Sequence, residues 1–330
     1  MIVFGCSITS RATFERFALP GIRRASESDS LLLDWDSTVI PYTTYNAMLD
    51  ELAGRDDVEA VVLLHQDLEI QDPAFAEKLR RRLQDPDVAL VGNAGGRRVQ
   101  SIAWWEGDVL GSWRWAYGED GEHQYEPTEW ENFVAESRRG CHEVEALDGM
   151  LHVLSPWAAK ELRYDEAVNA GEVHGCDVDL CFQARAAGKK VVVDELATVH
   201  HQGQIVLGDD SESWIEAHVA FARKWEPVLA PGGAVSDWEP RARRAEAESA
   251  AWRVQRGELS LMRNESDRRL AEALRRITDL ESELDLTTRE LQHEIDRGRA
   301  EIESMKRSRS WRLTRPFRAP GEALRRRRDP

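Results

Sequence analysis

Cysteine is scarce in this 330-residue chain: Cys6, Cys141, Cys176 and Cys181 are all it has, and no two show zinc-ribbon or redox spacing. That excludes a disulfide-stapled scaffold and leaves reduced, mostly buried thiols as the expectation. No segment approaches the ~20 apolar residues needed to cross a bilayer. The first residues lack the basic region and long apolar run of a signal peptide, so a cytoplasmic location is expected. No Gly-x-Gly-x-x-Gly turn follows the first apolar run, which counts against a dinucleotide enzyme. Proline is absent between Pro240 and Pro316, leaving a long stretch free to be helical.

Acidic residues outnumber basic ones 60 to 44, for a formal net charge of −16. The imbalance is uneven, because eight arginines from Arg309 to Pro330 face only Glu322 and Asp329. An acidic body repels phosphate backbones, which counts against nucleic acid as a partner. The basic end carries Trp311 and Phe317 among its arginines. It reads either as a peripheral contact with an anionic membrane surface or as a disordered tail.

Apolar runs bounded by turn signals predict strands over residues 1–8, 30–35, 59–64, 88–91 and 190–193. Helices are expected over 44–52, 72–83 with Asp72 as cap, 156–162, 177–187 and 214–225. Residues 92–96 read as a flexible loop, and the tryptophan-rich stretch 97–139 as a semi-regular flap. Its rings either fill a core or stack on a sugar. The alternation predicts an α/β domain with a mixed, mostly parallel sheet flanked by helices over residues 1–226. Pro227, Pro231, Pro240 and Gly232-Gly233 mark a linker, 227–244. In 245–306, Leu270, Ala273, Ile277, Leu280, Leu284, Thr287 and Leu291 follow alternating steps of three and four. Ile295, Ile302 and Met305 continue after a shift of phase. That predicts a coiled coil and hence a homo-oligomer, with a single helix lying on the domain as the alternative. Residues 307–330 are the basic tail.

In parallel sheets ligands bind beyond the carboxyl ends of the strands. Asp67 stands there, after the buried run 59–64, and either holds a metal or caps a turn. Asp177 and Asp179 open a helix, where acids are favoured by free amides and where one of them could act as a general base. His200-His201 follow another strand and offer an imidazole ligand or a polar surface.

The order of these pieces along the chain resembles the family-2 type glycosyltransferases of the GT-A fold, most closely a bacterial glycosyltransferase-like branch. The resemblance rests on Thr44-Tyr45-Asn46, on Val61-Val62-Leu63-Leu64-His65-Gln66-Asp67 and on Asp72-Pro73-Ala74-Phe75. It continues through Val88-Ala89-Leu90-Val91-Gly92 with Gly95-Gly96, and through Leu147-Asp148-Gly149. His174-Gly175-Cys176-Asp177-Val178-Asp179-Leu180-Cys181, Ala187-Gly188 and Val199-His200-His201 complete it.

The resemblance implies inverting transfer of a sugar from a nucleoside-diphosphate donor to a glycan or lipid-linked acceptor, in bacterial cell-surface polysaccharide synthesis. It implies a divalent metal, Mg2+ or Mn2+, held by Asp67 and by His200 or His201. Asp177 is the implied base, with Cys176 where the family has glutamate. His65 replaces the first acid of the family's Asp-x-Asp motif, leaving a ribose or metal contact open there. Asp34 and Asp36 fall where the family places an acid on the uracil or ribose, and Asp148 and Gly149 near the donor sugar or acceptor. Asp179 is expected to orient its helix end, and Trp104 and Trp105 match an aromatic segment of no stated role. The alternative is a non-catalytic sugar- or nucleotide-binding scaffold that oligomerises through its coiled coil.

Overall fold

The computed structural model describes residues 1–37, 41–111, 113–117, 123–125, 135–136, 140–168, 174–201, 211–229 and 239–314. It divides into two compact units, Met1–Leu261 and Met262–Pro330.

The first unit opens with β1 (Ile2–Ile8), α1 (Arg11–Arg16), α2 (Ala18–Ala25), β2 (Leu31–Asp36), α3 (Pro41–Leu52) and β3 (Ala60–Leu64). Next come β4 (Leu68–Ile70), α4 (Phe75–Leu83), β5 (Val88–Gly92), β6 (Ala94–Arg97) and a 3-10 turn at Trp104–Glu106. Short strands follow: β7 (Asp108–Gly111), β8 (Trp113–Tyr117), β9 (His123–Tyr125), β10 (Ala135–Glu136), β11 (His142–Val144) and β12 (Ala146–Leu147). The unit continues with β13 (Leu151–Leu154), α5 (Pro156–Glu161), α6 (Cys176–Ala186), β14 (Lys190–Val193), β15 (Thr198–His201) and α7 (Ser211–Leu229).

Seven strands form one sheet in the order β11-β14-β5-β13-β3-β1-β2. Five run one way, and β13 and β11 oppose them. This is the mixed, mostly parallel sheet with flanking helices that the sequence predicts. β3 lies inside it, and all five of its residues are buried. A strand covered on both faces has to be apolar throughout, which is why Ala60 to Leu64 read so clearly. Parallel pairing brings the ends of β1, β2 and β3 to one edge. Because β13 runs the other way, its first residue, Leu151, pairs with Leu64. The turn Asp148-Gly149-Met150 therefore arrives at the same edge as His65.

Several local expectations need correction. α4 starts at Phe75 rather than Asp72, because Asp72 closes a turn ahead of it. Its Oδ1 accepts from the Ala74 N–H at 2.9 Å, and its Oδ2 holds Lys78 Nζ at 2.5 Å. Residues 92–96 are not a flexible loop, since β5 runs to Gly92 and β6 begins at Ala94. A β-carbon at Gly95 would lie 2.2 Å from the Ala146 carbonyl oxygen, and one at Gly96 2.5 Å from that of Trp104. Those glycines mark close backbone approach. α3 begins at Pro41, three residues ahead of Thr44. Strands β7 to β10 lie within the stretch read as a flap, and Trp104 is buried in the core at 3% exposure. Trp130 lies outside the described residues. α7 runs through Pro227 to Leu229, and the long α8 (Glu239–Arg307) starts inside the stretch read as linker.

In the second unit α8 continues to Arg307, and α9 (Arg309–Leu313) follows, capped by Ser308. Here Leu270, Ile277, Leu280, Leu284, Leu291, Ile295, Ile302 and Met305 are 47% to 67% exposed. Ion pairs one turn apart, Asp285–Arg289 and Glu303–Arg307, support the helix from its polar faces. Among the described residues no helix is long and apolar enough to cross a membrane. Residues 315–330, including the arginine run 325–328, lie outside the described residues.

Candidate active site

Three short connections at the carboxyl edge of the sheet assemble the site. The first is His65-Gln66-Asp67, between β3 and β4. The His65 N–H donates to the Met150 carbonyl at 3.0 Å, and the Leu68 N–H closes the turn on the His65 carbonyl at 3.1 Å. β15 pairs antiparallel with β4, placing His200 opposite Leu68, and the His201 N–H donates to the Asp67 carbonyl at 2.8 Å. His200 Nε2 then sits 3.2 Å from Asp67 Oδ1, with the two side chains 12% and 19% exposed. The His65 ring lies 5.7 Å from the His200 ring, centroid to centroid. One ligand atom from each of His65, Asp67 and His200 falls within 4.8 Å of the others. Burial alone would push the Asp67 carboxyl up, but His200 and His65 hold it below its usual value. Burial opposes charge on His200, yet Asp67 beside it carries its pKa upward.

Neighbouring residues on a strand point to opposite faces, so only one histidine of the pair can meet Asp67. It is His200. His201 stacks on Phe17, with centroids 4.2 Å apart, and its Nε2 meets Glu69 Oε2 at 3.1 Å.

The second connection is the turn Asp148-Gly149-Met150. Asp148 Oδ1 accepts from the Met150 N–H at 2.8 Å, which closes the turn on itself. The Gly149 N–H donates to Asp177 Oδ2 at 3.1 Å. A β-carbon at Gly149 would stand 2.9 Å from the Tyr42 hydroxyl and 3.1 Å from the Asp177 β-carbon, so a larger residue would have to displace one or both side chains. The negative charge of Asp148 acts on His65, on His200 and on Asp177 alike.

The third connection is the start of α6, where Gly175 caps the helix at φ +85°, in the left-handed region that favours glycine. Asp177 Oδ1 accepts from its neighbour's amide, Val178 N–H, at 2.9 Å. Burial, and then the charge of Asp148, push the Asp177 pKa up to about 7 against the pull of those amides. A carboxylate poised there can take a proton near neutrality.

Asp179 belongs elsewhere. Fully buried, it accepts from Gln183 Nε2 at 2.7 Å and Trp225 Nε1 at 2.7 Å, and pairs with Lys224 Nζ at 2.8 Å. It ties α6 to α7. Asp34 and Asp36 form a separate group at the end of β2, where Arg11 holds Asp34 Oδ2 at 2.6 Å and Asp36 Oδ1 at 2.5 Å. Trp105, beside the buried Trp104, packs partly buried against the core.

Sequence reasoning missed several contributors. Gln66 Oε1 accepts from the amides of Thr9 and Ser10 at 3.0 and 2.8 Å, pinning the loop after β1 to the motif. Arg11 follows Ser10 directly, and the cap that Ser10 makes on α1 was the local clue to that loop. Behind the site, Tyr42 stacks on Tyr164 with centroids 4.8 Å apart. The Tyr164 hydroxyl meets Nδ1 of the buried His152 at 2.9 Å. Burial lowers the His152 pKa to about 3, so that ring stays neutral.

The sequence profile of a glycosyltransferase like family matches residues 42–220, which contain all three connections. The chain belongs to that family. The streptomycin biosynthesis protein StrF of Streptomyces griseus is 30% identical over 201 residues, covering 61% of this chain and 66% of that protein. The match thus spans just under two thirds of the relative's own length. Among solved structures, GalNAc-T7 with UDP, GalNAc and Mn2+ aligns at TM-score 0.43 and 10% identity, over 77% of this chain and 56% of that one. The mannosyltransferase PcManGT from Pyrobaculum calidifontis, in complex with GDP-Man and Mn2+, aligns at 0.41 and 12%, over 79% and 74%. Such scores mark a distant likeness that decides nothing about this glycosyltransferase-like chain.

Proposed function

We propose that this chain is an inverting glycosyltransferase that moves a sugar from a nucleoside-diphosphate donor to an acceptor hydroxyl. One observation carries the reading. The turn 148–150 links the His65-Asp67-His200 cluster, through the Met150 carbonyl, to Asp177, through the Gly149 amide. A cation-competent cluster and a proton-accepting carboxylate then share one edge of the sheet, in a chain of glycosyltransferase-like family.

The donor set fits a divalent cation, Mg2+ or Mn2+, because its ligand atoms already converge and mix carboxylate with imidazole. Asp67 and His200 would hold that ion, which when bound offsets the negative charge leaving on the nucleotide. Asp177 accepts the proton of the acceptor hydroxyl as its oxygen attacks the anomeric carbon. The new C–O bond forms on the face opposite the departing diphosphate, whose C–O bond breaks, and the configuration inverts. The amides of Gly149 and Val178 aim the Asp177 carboxylate during that step. Asp148 and Gly149 are assigned to the donor sugar or acceptor. Asp34 and Asp36, ordered by Arg11, are assigned to the nucleoside.

For the acceptor, a glycan or lipid-linked sugar of bacterial surface polysaccharide is favoured by the basic end with its Trp311, which suits the inner face of an anionic membrane. A small-molecule acceptor is the second reading, favoured by the streptomycin biosynthesis relative. The exposed apolar repeat of α8 supports oligomerisation through a coiled coil. The test is nucleotide release from a panel of uridine, thymidine and guanosine diphosphate sugars with and without Mn2+, with product configuration read by NMR. Metal-dependent release from one donor class and an inverted product are expected. No release from any donor, or a retained configuration, contradicts the reading.

A further inference from the structure

We propose that His65 is a third metal ligand, making a set of two imidazoles and one carboxylate that selects Mn2+, Co2+ or Zn2+ over Mg2+. The proposal rests on the cation role assigned above to Asp67 and His200, and it settles position 65 as a metal contact rather than a ribose contact. Donors bound at about 2.0–2.2 Å to one first-row ion lie at most about 4.4 Å apart. The ligand atoms of His65, Asp67 and His200 are already within 4.8 Å of one another, so small side-chain rotations close the shell. Rigid backbone fixes each of them. His65 ends the buried β3 and is tied to Met150, while Asp67 and His200 are locked across the β4–β15 pair.

The chemistry of the set then chooses the ion. Mg2+ prefers hard oxygen donors and an octahedron rich in water, so replacing a carboxylate by imidazole removes charge and oxygen together. Imidazole suits Zn2+, Co2+ and other first-row ions, whose affinities for nitrogen donors rise along the series. Among the described residues this is the one cluster of histidine, cysteine or acid side chains with metal-binding spacing, so binding can be traced to it.

The test is isothermal titration of the full chain with Mn2+, Zn2+ and Mg2+ alone, together with pulsed EPR of bound Mn2+ to count coupled imidazole nitrogens. Wild type is expected to bind Mn2+ at least about tenfold more tightly than Mg2+, with two coupled nitrogens. His65→Ala and His65→Gln should each lose about tenfold or more in Mn2+ affinity and one nitrogen, with Mg2+ binding little changed. His65→Asp should narrow the preference. One nitrogen in wild type, unchanged Mn2+ affinity in both variants, or no Mn2+ binding by wild type would overturn the proposal. The wild-type nitrogen count decides it even if a variant fails to fold. Metal binding is read without donor or turnover, so a protein that binds Mn2+ through both rings but transfers no sugar would sink the function alone.

Discussion

Among the described residues, apolar side chains up to Trp225 vanish into a seven-stranded sheet and its helices, while from Leu270 to Met305 they line one helix and stay about half exposed. The first unit carries its own core. The described residues of the second carry a pattern without one, since Leu270, Ile277, Leu284 and Leu291 recur every seven residues before the phase shifts toward Ile295 and Ile302. A long charged helix gains most of its stability from packing a face, not from propensity. The same residue types therefore build a core in one unit and, on the coiled-coil reading proposed above, would serve association in the other.

The sharpest way to break this contrast is a matched pair of truncations. Leu79→Ala, fully buried in α4, is expected to cost about 2–5 kcal/mol in denaturant unfolding of the first unit. Leu284→Ala, 67% exposed, should cost under about 0.5 kcal/mol within a single chain. Equal costs would show that the exposed repeat is already packed.

Chemistry should sit wholly in the first unit. Asp177→Asn is expected to lower turnover at least about 100-fold, as loss of a general base does. The paired introduction of charge by Ile277→Asp with Leu284→Asp should leave turnover within about twofold while abolishing any oligomer in sedimentation velocity. Near-normal turnover of Asp177→Asn would remove the base assignment.

A smaller effect separates burial from catalysis at Asp177. Its folded pKa is raised to about 7, so between its unfolded value near 4 and that point the folded chain keeps a proton the unfolded chain has lost. The stability it contributes is complete below about pH 4 and is lost as pH rises through about 7. Asparagine cannot ionise, yet its amide oxygen can accept from the Gly149 and Val178 amides. Asp177→Asn should therefore melt above wild type at pH 8, with the gap closing at pH 4. A lower melting point at pH 8 would mean that the carboxylate is stabilised in place.

How much of this was legible follows from how local each signal is. β3 and β14 were readable almost to the residue, because continuous apolar runs announce strands covered on both faces. The order of Asp67, Asp177 and His200 was readable as family resemblance, and the pairing of β4 with β15 explains why His200 rather than His201 meets Asp67. Gly95 and Gly96 were misread as flexible because the carbonyls that crowd them belong to Ala146 and Trp104, far off in the chain or across a turn. Gln66 reaches loop amides 57 and 56 residues away, and Arg11 bridges acids 23 and 25 residues on, with no periodic trace in either case. The Tyr42, Tyr164 and His152 stack was hidden for the same reason.

The central claim is that the ion cluster and Asp177 form one electrostatic site. The most direct measurement is the carboxyl 13C resonance of Asp177, assigned with Asp177→Asn and followed through a pH titration with and without Zn2+. A midpoint near 7 that falls when the ion is added is the predicted result. A midpoint near 4, or one that the ion leaves unmoved, would contradict it.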